Sequence, residues 1–114
     1  MSSVIVVDYG IVNLKNVVRA LAYVGASIHS TSDYKRVLAA DRVILPGVGA
    51  FPSGMSELTA SGLDDALKEV ALMGKPILGI CLGMQMLLEF SEEHSRHAGL
   101  GLVEGSVVEI PSET

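Results

Sequence analysis

This 114-residue sequence has one cysteine, no basic stretch and no apolar run of membrane-spanning length. A single cysteine excludes an intrachain disulfide and fits a reducing compartment, the cytoplasm. Charged residues make up only 18% of the chain, and 8 basic residues face 13 acidic ones, for a net charge of -5. That balance argues against binding nucleic acid or an anionic membrane. Met1-Ser2-Ser3 places no basic region ahead of Val4-Ile5-Val6-Val7, and that run is too short for a secretory signal. Phosphate-binding glycine patterns are missing too. Neither the third glycine of a dinucleotide fingerprint nor the Gly-Lys-Ser/Thr of a P-loop is present. His94 and His97 are spaced i, i+3, but no third ligand stands at metal-binding spacing. Neither a metal nor another cofactor is expected.

What the chain has in quantity is apolar residues, at 49%. They suffice for one small domain whose helices pack on a mostly buried sheet. Residues 4–7 read as a buried strand, ended by Asp8-Tyr9-Gly10. Asn13 is placed to cap a helix with Leu14, Val17, Val18, Leu21 and Ala22 on its apolar face, and Gly25 to stop it. Residues 27–30 and 42–45 give second and third strands, with one or two helical turns over 33–39 between them. Helical patterns over 55–60 and 63–73 break at Ser61-Gly62. Asp64 and Asp65 fall in the second helix's first turn, where its dipole favours acids, and Gly74 ends it. Residues 76–80 form a fourth strand, and 82–90 a nearly all-apolar helix. Residues 91–101 read as a loop, and 102–103 with 106–110 as a terminal hairpin or edge strands. No repeat or interdomain linker interrupts this order.

Strand–helix alternation implies right-handed crossovers and a parallel sheet. The expected fold is α/β and flavodoxin-like, with strand order 2-1-3-4 and helices on both faces. Ligands of such sheets bind beyond the carboxyl ends of the strands. Three loops meet there: residues 8–12, residues 46–51, and the turn at Cys81.

That last turn carries the strongest chemical signal. Pro76-Ile77-Leu78-Gly79-Ile80-Cys81-Leu82-Gly83-Met84-Gln85 is an apolar run, then Gly-x-Cys-x-Gly, then a helical pattern. This is a nucleophile elbow with cysteine in place of serine. Glycines at 79 and 83 leave room where backbone crosses backbone and tolerate unusual dihedrals. A helix starting at Leu82 would cluster N–H groups near the sulfur and favour the thiolate. The Leu82 N–H, following the nucleophile, is a natural oxyanion donor. A lone cysteine is otherwise most often a buried core residue; the flanking glycines and the strand–helix context tip the balance. In the second loop, Pro46-Gly47-Val48-Gly49-Ala50-Phe51, Gly47 and Gly49 permit peptide flips and close approach, so its N–H groups can face the same oxyanion. Taken alone, that loop is an ordinary strand-to-helix turn.

A cysteine attacking an amide needs a base, normally histidine. His29 lies three strands from the elbow strand, on the order of 14 Å away. A helix over 82–90 would carry the chain roughly 15 Å from the sulfur. His94 and His97 would then have to double back along its length. All three read as surface histidines, and Glu92 and Glu93 as solvated.

With these residues in place, Gly79-Ile80-Cys81-Leu82-Gly83-Met84-Gln85 resembles the nucleophile motif of the class I glutamine amidotransferases. The motif is shared with CTP and GMP synthetase domains. Asp8-Tyr9-Gly10 with Asn13-Leu14, Pro46-Gly47-Val48-Gly49-Ala50-Phe51 and Gly99-Leu100-Gly101-Leu102-Val103-Glu104-Gly105 look more narrowly like the glutaminase subunits of imidazole glycerol phosphate synthases. The resemblance spans nearly the whole chain. It implies that Cys81 attacks the side-chain amide of glutamine and releases ammonia, and that water hydrolyses the thioester. It also implies an oxyanion hole from the backbone of Leu82, Val48 and Gly49, and glutamine contacts from Gln85 and Gly47. The implied partner is a β/α-barrel cyclase. In a heterodimer with it, ammonia would be used to make imidazole glycerol phosphate and an aminoimidazole carboxamide ribotide in histidine biosynthesis.

Two departures are visible. Val12 stands where the family has glycine, and valine resists positive φ. The His and Glu of the family's Cys-His-Glu triad belong to a later half without counterpart here. Residues 1–114 therefore read as the N-terminal part of such a domain, inactive alone. Its uncovered sheet edge or helix face would favour self-association. Two other classes compete. One is a non-catalytic scaffold domain of the same fold. The other is a redox-sensing cysteine domain, which needs a carboxylate or second thiol beside the sulfur that the spacing does not provide.

Overall fold

In a computed structural model, residues 4–10, 14–23, 27–93 and 95–111 are described. Four short segments pair into a parallel sheet: β1 (Val4–Val7), β2 (Ile28–Thr31), β3 (Arg42–Leu45) and β4 (Ile77–Gly79), in the order β2-β1-β3-β4. That is the expected order. Register aligns Val6 with Ser30 and Ile44, and Ile44 with Leu78. Strand alternation then sends Ile5, Val7, Val43 and Leu45 to one face.

Against that face lie α2 (Tyr34–Ala39), α3 (Phe51–Ser61), α4 (Leu63–Leu72) and α5 (Leu82–Met86). Val37, Leu58, Leu63, Leu67, Val70 and Met86 complete the core. Each such side chain contributes about 1.5–3 kcal/mol, against about 1 kcal/mol for a helix cap. The core face therefore outweighs the cap at α2, where Asp33 Oδ1 accepts the Lys35 N–H at 3.1 Å. Gly62 divides α3 from α4 with φ 76, a conformation suited to glycine. On the other face, α1 (Leu14–Tyr23) meets the sheet beside β2, where Leu14, Val18, Ala22 and Ser30 line a groove. Leu14, Val17, Val18 and Leu21 of its expected apolar face are only half-buried, and Ala22 is exposed. The capping residue Asn13, the departure at Val12 and the stop at Gly25 lie outside the described residues.

One element differs in kind. The helix expected over 82–90 ends at Met86, and Leu88–Ser91 becomes strand β5 of a second sheet. β6 (His97–Ala98) pairs antiparallel with β5, and β7 (Val103–Val107) pairs parallel with it, giving the order β6-β5-β7. Of the two readings for residues 102–110, the edge strand holds and the hairpin does not: β7 lies at the edge of this sheet, paired with β5. The returning segment caps the short helix: Leu100 N–H donates to Met86 O at 2.8 Å, and Leu102 N–H to Leu87 O at 2.9 Å. A short run apolar on every side fits a buried strand as well as a helix, and here the pairing partner decides.

β4 pairs only with β3 among the described residues, and its Leu78 is 55% exposed. An apolar residue on an open edge strand invites pairing with another chain. Leu78→Glu is expected to shift the 114-residue chain toward monomer in sedimentation velocity. Unchanged sedimentation would rule this edge out as the contact.

Candidate functional site

The tip between β4 and α5 is built by close packing. Ile80 N–H donates to Leu45 O at 3.0 Å, drawing the turn onto β3. A Cβ on Gly83 would overlap that same Leu45 carbonyl oxygen, and one on Gly79 would stand 2.6 Å from Met84 Cα. Both glycines are thus required for approach. Neither has a positive φ, so the expected dihedral demand does not fall on them. It falls on Cys81, with φ 54 and ψ -120. Cys81 is the one non-glycine residue with positive φ among the described residues, and it is exposed. A residue held this way on a strand-to-helix turn is what a nucleophile elbow requires.

The N–H groups around it are less free than expected. Leu82 N–H donates to Gly47 O at 3.1 Å, and Gly83 N–H to Ile80 O at 2.9 Å. α5 has only five residues, so the dipole contribution expected from a long helix is much reduced. The Pro46–Phe51 loop does lie against the elbow. Gly47 is buried with its carbonyl on Leu82; Val48 is 50% exposed; Gly49 is exposed with φ 102. The first loop joins them. Tyr9, buried, donates its O–H to Pro46 O at 2.6 Å, and burial pushes its pKa up to about 12. The three expected loops therefore meet. Gln85, half-buried on α5, donates its backbone N–H to Cys81 O at 3.3 Å.

His29 is exposed on β2, with β1 and β3 between it and β4, so it stays remote. His94 lies outside the described residues. His97 is a correction, because the long helix that was to carry it away does not exist. β6 returns it opposite Ser91. There it lines a cavity of about 120 Å³ with Gly49, Ala50, Phe51, Pro52, Ser91, Glu93 and Ser95. Its Nε2 hydrogen-bonds Ser95 Oγ at 2.7 Å. Glu93, expected to be solvated, is half-buried in the same wall. Neither Cys81 nor Leu82 lines that cavity. It adjoins the Pro46–Phe51 loop through Gly49, and the β5–β6 turn that builds it left no periodic signal in the sequence. Among the described residues, no three His, Cys, Asp or Glu groups cluster to hold a metal. No described helix is long and apolar enough to cross a membrane.

The sequence and the fold both have relatives among known proteins. The sequence profile of the class-I glutamine amidotransferase family matches residues 5–110. The imidazole glycerol phosphate synthase subunit HisH of Listeria monocytogenes (serotype 4a, strain HCC23) is 52% identical over 96% of this chain and 53% of its own. A protein named imidazole glycerol phosphate synthase subunit HisH 1, from Legionella pneumophila (strain Lens), is 51% identical over 98% of this chain and 53% of its own. This chain spans about half the length of the curated relatives it matches. A solved glutamine amidotransferase superposes with a TM-score of 0.77 at 18% identity, over 91% of this chain and 55% of that one. That likeness supports the fold alone.

Proposed function

This chain belongs to the class-I glutamine amidotransferase family, and from that premise we propose that it carries the nucleophile of a glutaminase subunit serving an imidazole glycerol phosphate synthase. The observation that supports this reading best is Cys81, exposed at a positive φ on the tip between β4 and α5. Its sulfur attacks the side-chain carbonyl carbon of glutamine, forming a C–S bond. The C–N bond then breaks, and the nitrogen takes up a proton and leaves as ammonia. Water cleaves the thioester, giving glutamate and restoring the thiol.

The oxyanion formed on attack needs donors, supplied by the N–H groups of Leu82 and of the Val48–Gly49 segment. For that, the Gly47 carbonyl must move off Leu82, where it rests at 3.1 Å. Gln85 and Gly47 contact the substrate, and Glu93, which lines the cavity beyond Gly49, is a suitable mate for an α-ammonium group. The thiol also needs a general base, and neither described histidine is placed for it: His29 is separated from β4 by two strands, and His97 lines a cavity to which Cys81 does not contribute. Ammonia passes to a barrel-shaped cyclase partner, in the cytoplasm, where a lone cysteine stays reduced.

Two results are expected. An electrophilic glutamine analogue, such as a γ-diazoketone, labels Cys81 at one equivalent by peptide mass mapping, and free glutamine slows the labelling. The 114-residue chain alone releases ammonia from glutamine at the background rate. Labelling that glutamine does not slow would overturn the substrate assignment, and rapid turnover would show that a base in this chain does reach Cys81. The closed Gly47–Leu82 contact also suits a non-catalytic scaffold domain, and glutamine protection separates the two readings.

A further inference from the structure

Tyr9 is a buried phenol for which the chemistry above has no use. It is 3% exposed at the end of β1, and its hydroxyl reaches Pro46 O across 37 residues of sequence. With its pKa raised by burial to about 12, it remains a neutral donor throughout the neutral range. The hydroxyl also lies close to the next residue: a Cβ on Gly47 would stand 2.5 Å from it. Gly47 in turn supplies the carbonyl that covers the Leu82 N–H. Two successive carbonyls of one loop are therefore each held by a donor from a different segment, Tyr9 after β1 and Leu82 at the start of α5.

Peptide planarity makes this arrangement consequential. The Gly47 carbonyl and the Val48 N–H belong to one rigid plane and point in opposite directions. Rotating that plane removes the carbonyl from Leu82 and swings the Val48 N–H toward the vacated side. The plane before it, Pro46–Gly47, is the one that the Tyr9 hydroxyl fixes. We propose that Tyr9 is a positioning residue whose hydroxyl latches the Pro46 carbonyl, keeps the Gly47 carbonyl seated on the Leu82 N–H, and so sets how often the loop opens. The catalytic consequence rests on reading Leu82 as an oxyanion donor; the latch itself does not.

The test uses the full 114-residue chain and Tyr9→Phe, which removes one oxygen and keeps the ring. Amide hydrogen exchange at Leu82 should accelerate about fivefold or more, the worth of one ordinary hydrogen bond. Exchange at Val43, whose N–H donates to Pro76 O in the sheet, should stay within about twofold, because a local latch leaves the sheet's hydrogen bonds in place. Labelling of Cys81 by the γ-diazoketone should rise severalfold relative to labelling by iodoacetamide, which needs no oxyanion donor. Unchanged exchange at Leu82, or equal acceleration at Val43, overturns the latch. Faster Leu82 exchange without a change in the labelling ratio keeps the latch and overturns the oxyanion role. Should the variant not fold, the unaltered chain still decides. The Tyr9 hydroxyl proton should give its own slowly exchanging NMR signal with an Overhauser contact to Gly47 Hα, and a signal lost to rapid water exchange overturns the proposal.

Discussion

Gly83→Ala is expected to cost more than about 4 kcal/mol of stability, enough to leave the chain largely unfolded. The added methyl would overlap the Leu45 carbonyl oxygen and press on the Leu45 and Pro46 carbonyl carbons. Those are backbone atoms of and just beyond β3, so no rotamer change makes room. Shifting the Leu45 carbonyl would also break its bond from the Ile80 N–H at 3.0 Å, which docks the elbow. Gly74→Ala gives the right comparison. Gly74 has φ 75, and a Cβ there would meet nothing within 4 Å, so alanine incurs only the left-handed backbone cost, about 1–2 kcal/mol. Denaturant midpoints of the two variants measure the difference. A Gly83→Ala chain as stable as Gly74→Ala would show that α5 is not docked on the Leu45 carbonyl.

This contrast also bears on what could be read from sequence. Gly-x-Cys-x-Gly pointed correctly to a tight strand-to-helix turn, because few other needs place two glycines around one cysteine. It did not say whether each glycine served torsion or space, since both demands select the same residue. The strand order β2-β1-β3-β4 followed from short β-branched runs alternating with helical patterns, because crossover handedness leaves few arrangements. Residues 82–90 misled. Leu82, Met86, Leu87 and Phe90 satisfy helical spacing, while the pairing of Leu88 with Val103 and of Phe90 with Ala98 and Ser106 is set by segments 8 to 16 residues away. Local periodicity carries no trace of such partners. The misplaced helix then propagated into the site, sending His97 and Glu93 into solvent when both line the cavity beside Gly49.

Cys81→Gly is expected to abolish labelling and yet leave the chain more stable than Cys81→Ala by about 1–2 kcal/mol. Cys81 is held at φ 54, ψ -120, a region in which a side chain costs about 1–3 kcal/mol. Alanine keeps a Cβ and so keeps that strain, whereas glycine relieves it. Against the relief stands the larger conformational freedom that glycine loses on folding, about 0.4–1 kcal/mol. The strain is the larger quantity, so glycine should win. Burial does not blur the comparison, since Cys81 is exposed and either variant removes the same sulfur. Both variants should also lose all reaction with the γ-diazoketone, which ties labelling to the sulfur and stability to the backbone. Thermal or denaturant midpoints of the pair decide the matter. If alanine proves equal to or more stable than glycine, the elbow is unstrained in solution. If glycine is the more stable, the cysteine is retained at a measurable cost that packing around Gly79, Gly83 and Leu45 must offset, as expected of a side chain kept at this turn for its reactivity.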